Sequence, residues 1–502
     1  MEGKAKTGIS PTRAEDFPQW FQSVVRDAEV AELDHVRGAM VIRPWGYGIW
    51  ELMQRALDDA IKQTGAVNAY FPLFIPLSYF EEEAKHVEGF AKEMAVVTHH
   101  RLEQGEDGLL HPAAELPEPL VVRPTSETII GRSFAKWINS YRDLPLMINQ
   151  WANIVRWELR PRVLLRTTEF LWQEGHTAHA SEEEALEETQ RMLGVYREFT
   201  EQELAIPVIA GEKPELERFP GAESTLTIEA MMEDGKALQC GTSHYLGQNF
   251  SRAMEMGFTD EDGERKLCFT TSWGITTRMV GAVVMSHGDD NGLRLPPRVA
   301  PRQVQIIPIT RGDPAAVLEA ADALRTEIVD QGWAGGPVRV EVDQRDRKPA
   351  EKRWEWIRKG APIVIELGER DIEQGVVTMT RRDDSELRRD AIPREGAAEA
   401  VSGVLGDMQA GYFEEASQRL RGRTRDDITT LEGFREFFSG DDTESGGFVK
   451  APWSEDPSTE ETMGELGVTV RCIPWGEELA SDARCVITGG AAKVMAIFAK
   501  AY

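Results

Sequence analysis

Cysteine is scarce in this chain: Cys240, Cys268, Cys472 and Cys485 are widely scattered among 502 residues, with no Cys-x-x-Cys pair. That argues against a disulfide scaffold and a thiolate metal motif; reduced thiols in a cytoplasmic protein are expected. Long apolar runs are missing too. No stretch approaches the roughly 20 residues needed to cross a bilayer, and residues 1–13 are polar and charged, unlike a secretory leader. Basic excess is absent: the formal net charge is -28. A uniformly acidic shell repels phosphate, so any RNA contact falls to local arginine clusters. Lysine is outnumbered by arginine more than two to one, and an acidic, lysine-poor surface suits a salt-adapted host.

What is present points to about three domains. Over 48–63, Ile49, Leu52, Met53, Ala56, Leu57, Ala60 and Ile61 recur at three and four residues, which predicts a helix capped by Gly65. A proline-bounded apolar strand is predicted over 67–76. Ser181-Glu182-Glu183-Glu184 is a capping box. Ala185, Leu186, Met192, Leu193, Tyr196 and Phe199 mark the apolar face of its helix, opposite a solvated acidic face. Residues 295–301 form a proline-rich boundary. Beyond it, strands at 304–309, 338–342, 363–367 and 376–380 alternate with helices at 314–331 and 348–359. That pattern predicts a small α/β domain with a largely parallel sheet. A second boundary at 392–399 leads to a C-terminal α+β domain, and 439–447 is a polar tract.

The chemistry concentrates at 156–170, Arg-Trp-Glu-Leu-Arg-Pro-Arg-Val-Leu-Leu-Arg-Thr-Thr-Glu-Phe. A strand over 154–157, a loop through Arg160, Pro161 and Arg162, and a returning strand over 164–171 are predicted. This hairpin puts Arg156 and Arg166 on strands. Two fixed guanidiniums beside an aromatic suit a nucleotide, with forks for phosphate and a ring face for a base. Three segments accompany it: Arg123-Pro124-Thr125-Ser126-Glu127-Thr128, Gln239-Cys240-Gly241-Thr242-Ser243-His244, and 272–281, which ends in Arg278-Met279-Val280-Gly281.

Together these segments resemble the active site of a class II aminoacyl-tRNA synthetase, specifically a prolyl-tRNA synthetase of the eukaryote-like, archaeal type. The resemblance covers nearly the whole chain. It implies an α+β fold: a class II catalytic domain with an antiparallel sheet over 1–295, an α/β anticodon-binding domain over 296–398, and a small C-terminal α+β domain over 399–502. It also implies a cytoplasmic homodimer, without membrane association, acting as a proline–tRNA ligase on L-proline, ATP with Mg2+, and tRNA(Pro). The helix over 48–63 and the strand after it resemble motif 1, the family's dimer interface.

The resemblance further assigns roles. Arg156 and Arg278 are the expected catalytic residues, Arg156 on the α-phosphate and proline carboxylate, Arg278 on the triphosphate tail and adenine. Glu158, Arg166, Thr167, Phe170, Gln239, Thr242 and Thr276 match ATP-contacting positions. Thr125 and Glu127 match positions that hold the proline amine; Trp172, Glu174, His176 and His244 match the surround of its pocket. Glu158 and Glu169 are candidate magnesium ligands. His176 and His179 lack the carboxylate or thiol cluster that a resident metal needs. In the anticodon-like segment Asp343, Arg345, Arg347, Pro349, Lys352, Glu355, Trp356, Lys359 and Gly360 follow the pattern, while Ala350 and Arg353 depart from it. Arg345, Arg347, Lys352 and Lys359 are the expected anticodon contacts. Many relatives hold zinc in the C-terminal domain, but the ligand positions here fall near Ser454, Thr459, Asp482 and Cys485, so a metal-free domain is expected. Too few residues separate motifs 2 and 3 for an editing insertion. The competing readings are a synthetase-like RNA-binding protein without chemistry and a class II synthetase for another amino acid, such as threonine.

Overall fold

The apolar periodicity around 48–63 does produce a helix, Pro44–Gln63, with Pro44 in its first turn. Ile49, Trp50, Met53, Leu57 and Ile61 form its buried stripe. Thr64 rather than Gly65 is the C-cap, and Gly65 follows at φ +98°. In the computed structural model, residues 8–83, 94–310, 313–440 and 446–502 are described; most of the polar tract at 439–447 lies outside them. The strand predicted over 67–76 divides. Val67–Asn68 runs parallel to Leu146–Val155 at the edge of the main sheet. Phe74–Pro76 joins a separate three-stranded sheet with Val96–Gln104 and Leu110–Val122.

The main sheet has eleven strands. Its centre is antiparallel: Val208–Glu212, Ser224–Met231, Ala237–Gly247, Phe269–Thr276, Glu169–His179 and Leu146–Val155 lie side by side. The C-terminal segment continues this sheet. Thr469–Pro474 pairs antiparallel with Val208–Glu212, and Val494–Ala499, Phe448–Trp453 and Thr424–Arg425 extend it outward. The join depends on Gly211, where a Cβ would sit 2.4 Å from the Ile473 carbonyl oxygen.

Two helices back the sheet. Glu182–Glu198 starts with the predicted capping box, Ser181 accepting from the Glu184 N–H and Glu184 from the Ser181 N–H. Its apolar face is buried as expected, except that Leu186 is exposed. Glu188 breaks the solvated acidic face: it is buried and accepts from Arg191 at 2.9 Å. Arg278–His287 is apolar from Met279 to Met285 and almost wholly buried.

The second sheet, over 304–393, orders its strands Val340–Val342, Val304–Ile309, Ile363–Gly368, Val376–Arg381 and Asp390–Pro393. Its first two pairings are parallel and its last two antiparallel, so it is less parallel than the alternation of elements predicts. The helix Ala397–Arg423 packs Val401, Leu405, Met408 and Tyr412 into this unit's core. Its far end ties to the main sheet's unit: Arg419 donates to the Ser286 carbonyl and pairs with Glu233, and Arg423 donates to the Glu233 carbonyl.

Gly211→Val is expected to cost about 1–3 kcal/mol, since overpacking at this seam forces the strands apart. A lower thermal midpoint and faster proteolytic release of the C-terminal segment are the expected signs. Unchanged melting and proteolysis would contradict the continuous sheet.

Candidate functional site

The ends of the central strands surround a cavity of about 370 Å³. Thr125, Glu127, Arg156, Glu158, Arg166, Thr167, Phe170, Trp172, Glu174, His176, Gln239, Thr242, His244, Thr276 and Arg278 all line it. Every residue predicted for proline or ATP therefore faces one space. Four segments supply them because the sheet brings strands distant in sequence into register: Trp172 lies opposite Thr276, and Glu174 opposite Gly274. Trp273 lies opposite Gly175, where any Cβ would meet its ring at 2.1 Å. The glycine is what lets the indole lie flat on the sheet.

Arginines dominate one end. Arg156 donates Nε–H to the Pro124 carbonyl at 2.9 Å and lies 5.8 and 5.6 Å from the Phe170 and Trp172 ring centroids. Arg278, the first residue of its helix, donates to the Leu165 and Gln239 carbonyls, each at 3.3 Å. Desolvation lowers the pKa of both groups. Glu127 and Glu174 counter this at Arg156, whereas Arg166 and Arg156 add repulsion at Arg278. Arg156 and Arg166 are exposed and Arg278 is half-buried. The arrangement concentrates positive charge where an anion can enter.

The hairpin is not built as predicted. The first strand ends at Val155 and the second begins at Glu169. Arg166 sits in a turn, its N–H bonded to the Arg162 carbonyl, rather than on a strand. Leu164, at φ +63°, makes the backbone turn that interrupts the expected returning strand. Glu169 does not line the cavity: its Oε1 accepts from Asn153 at 2.9 Å. Of the two magnesium candidates only Glu158 faces the space.

The other end is carboxylate-rich and buried. Thr125 donates to Glu127. Glu174 accepts from Ser126 at 2.5 Å and from Gln150 at 2.7 Å, and faces His176 at 3.0 Å. Burial alone raises the Glu174 pKa, but His176, Ser126 and Gln150 outweigh it and hold the carboxyl below its ordinary range. Burial alone lowers His176; its bond to Glu174 and the nearby Glu127 charge reverse that and raise it. His244 behaves oppositely: burial, with repulsion from His176, pushes it down to about 3. Its ring packs 4.7 Å from Phe219, and Nδ1 lies 3.0 Å from the Thr225 hydroxyl. Sequence reasoning missed Glu217, Phe219 and Thr225, which also line the cavity. Phe219 stands before Pro220-Gly221 in a loop, and an aromatic beside a turn pair was the available signal.

Trp172 Nε1, Ser272 Oγ and Trp273 Nε1, from three lining residues, have no hydrogen-bond partner among the described residues. Buried polar groups of this kind are rare without a ligand or water.

Comparison with known proteins agrees with this geometry. Residues 113–287 match the tRNA synthetase class II core domain (G, H, P, S and T), 303–403 an anticodon binding domain, and 441–502 the prolyl-tRNA synthetase C-terminal domain. The proline–tRNA ligase of Protochlamydia amoebophila is 54% identical over 505 residues, covering 99% of each chain. That of Paramagnetospirillum magneticum is 53% identical over the full length of both chains, and that of Rhodopirellula baltica 52%, over 100% of this chain and 99% of the relative. The chain belongs to the prolyl-tRNA synthetases.

The anticodon-like segment of this synthetase differs from expectation. Lys352 and Lys359 are buried and internally paired rather than surface cations. Lys352 donates to the Asp343 carbonyl at 2.8 Å; Lys359 contacts Glu29 at 2.7 Å and Glu355 at 3.1 Å. Arg345 bridges Asp343 and Glu355, and holds the Asp343 carboxyl, against its burial, down at about 2. In the C-terminal unit, the Thr459 hydroxyl donates to the Asp456 carbonyl and accepts from Trp453. Cys485 Sγ accepts from the Thr488 N–H at 3.4 Å. Among the described residues no three His, Cys, Asp or Glu side chains converge as a metal site, and no helix is long and apolar enough to cross a membrane.

His176 gives a pH test. Its pKa in the folded chain is raised above the ordinary 6.5. The stability it contributes is therefore complete below 6.5 and lost as pH rises through the folded value. His176→Gln should lower the thermal midpoint most at pH below the ordinary 6.5, with the deficit shrinking as pH rises above it. A deficit independent of pH would contradict the assignment.

Proposed function

We propose that this synthetase activates L-proline with ATP, releasing pyrophosphate, and transfers the prolyl group from the adenylate to the 3′ end of tRNA(Pro). One observation carries the reading: the guanidiniums of Arg156, Arg166 and Arg278 and the buried carboxylates of Glu127 and Glu174 line a single cavity, matching a substrate pair of triphosphate and secondary ammonium. The proline carboxylate oxygen attacks the α-phosphorus as the bond to pyrophosphate breaks. Two anions must meet, so the barrier is charge and alignment. Arg156 spans the α-phosphate and the carboxylate. Arg278 and Arg166 hold the rest of the triphosphate, and Phe170 supports the adenine, with Glu158, Thr167, Gln239, Thr242 and Thr276 around the nucleotide. Glu127 and Thr125 receive the two ammonium N–H groups. Trp172, Glu174, His176 and His244 enclose the ring, with His244 neutral so that it adds no charge against the amine.

Magnesium takes one or two carboxylates plus phosphate oxygens, and Glu158 at the arginine end fits that habit. When bound with ATP the ion supplies charge neutralisation.

Within the family we assign the chain to the eukaryote-like, archaeal architectural type, although the relatives named above come from bacteria. Between the strands Glu169–His179 and Ala237–Gly247 the chain forms only helix, turn and strand of the catalytic unit itself, without a separate editing fold. The three-domain division at 295/296 and 398/399 belongs to the same reading. So does a cytoplasmic homodimer formed through the helix Pro44–Gln63 and the segment after it, where Val67, Tyr70 and Phe74 are exposed. Of the four expected anticodon contacts, Lys352 and Lys359 are buried, whereas Arg345 and Arg347, though paired with Asp343 and Glu355, stay half-exposed and are the two we assign to tRNA.

Proline-dependent ATP–pyrophosphate exchange tests the reading: exchange with proline and none with threonine is expected, and the reverse would overturn it. Arg278→Met should lower kcat/KM for ATP by about 100- to 1000-fold. Alanine should be activated weakly, since an apolar pocket rejects a smaller analogue poorly, and alanyl-tRNA should persist; its rapid deacylation by the purified protein would contradict the absence of editing.

A further inference from the structure

Behind the cavity, three charges meet where the C-terminal unit joins the catalytic sheet. Glu229 is fully buried, Lys213 and Arg471 nearly so. Lys213 Nζ lies 2.9 Å from Glu229 Oε1. Arg471 donates Nε and Nη2 to Glu229 Oε2 at 3.1 and 3.0 Å. Thr227 donates to Oε1 at 3.0 Å, and Arg471 Nη1 reaches the Thr469 hydroxyl at 2.8 Å. Taking such charges out of water is costly and adds little net stability. Burial of the triad therefore calls for a role other than cohesion.

Backbone geometry indicates that role. The pairing of Ser224–Met231 with Ala237–Gly247 slips at Glu229: Ile228 faces Gly241 and Glu229 faces Gln239, which leaves Cys240 as the extra residue of a bulge. The pairing of Thr469–Pro474 with Val494–Ala499 slips between Val470 and Cys472, which leaves Arg471 as the extra residue of a second bulge. Bulges re-aim side chains, and they concentrate beside active sites. Both meet at this carboxylate. Around it lie two parts of the cavity wall. Gln239, opposite Glu229, offers the carbonyl to which Arg278 donates. Lys213 begins the loop that carries Glu217 and Phe219 to the cavity, and its N–H bonds the Thr225 carbonyl.

We infer that Arg471 of the C-terminal unit is a positioning residue of the active site, acting through Glu229 on the Gln239 carbonyl that holds Arg278 and on the loop rooted at Lys213. The C-terminal unit thereby contributes to amino-acid activation before any tRNA is bound. This rests on the proposed reaction: exchange by the unaltered protein tests that reading, and the ratio of variant to unaltered constants tests this one.

The experiment is ATP–pyrophosphate exchange by full-length Arg471→Met, Arg471→Lys and the triple variant Lys213→Met, Glu229→Leu, Arg471→Met, each with its thermal midpoint. The triple variant replaces the ions by apolar groups of similar size, an exchange that folds tolerate. Arg471→Met and the triple variant are expected to raise the KM for ATP roughly tenfold, as small misplacements of positioning groups do. Arg471→Lys should recover most of that loss. The effect should persist well below each variant's melting temperature. A KM within about twofold of the unaltered protein in the triple variant, or losses that vanish on cooling, would show a merely structural triad and overturn the inference.

Discussion

Convergence of like charge is the constraint on which the site depends. Arg156, Arg166 and Arg278 face one cavity, and the latter's pKa falls through desolvation and through repulsion by the other two. Among the described residues no carboxylate pairs directly with Arg278; it is held by the carbonyls of Leu165 and Gln239. Carbonyl dipoles orient a guanidinium without neutralising it, so its charge stays available to an entering anion. The buried carboxylates Glu127 and Glu174 are committed to Thr125, Ser126, Gln150 and His176. That separate pairing keeps the site from collapsing into internal salt bridges.

The scaffold preserves that separation by tying loops to strands. Arg123 is fully buried and donates to the carbonyls of Phe71 and Asn153, each at 2.9 Å. It thereby fixes the approach of Pro124, which in turn accepts from Arg156. Gly175 makes room for Trp273, and Gly211 for the C-terminal strand. Side-chain volume at Gly175 would displace a wall of the cavity, and at Gly211 it would part the seam. A few charged residues elsewhere weld the units together, as Arg382 does with Asp289 and Arg294 with Glu415.

Periodicity made helices and buried strands legible in the sequence, because burial on one face leaves a repeat that survives any context. Pro44–Gln63, Glu182–Glu198 and Val304–Ile309 lie within a few residues of expectation. What failed was set by contacts distant in sequence. The segment 67–76 is apolar throughout, but which sheet each half joins depends on Leu146–Val155 and Leu110–Val122. Lys352 and Lys359 sit in a helix that reads as basic, yet Asp343, Glu355 and Glu29 enclose them. The cavity residues were legible through resemblance, since no local pattern brings Gln239 to Arg278. Phe219 carried only the weak signal of an aromatic beside a turn pair, and Arg471 and Glu229 carried none; the folded sheet is what relates them to the site.

The most direct test of the central claim is thermal unfolding of Arg278→Met with and without magnesium-ATP. If the guanidiniums repel one another in the empty cavity, the variant should melt at or above the temperature of the unaltered protein when free of ligand, and should lose most of the stabilisation that ATP confers. A variant that melts lower when free, yet gains as much from ATP as the unaltered protein, would contradict the account.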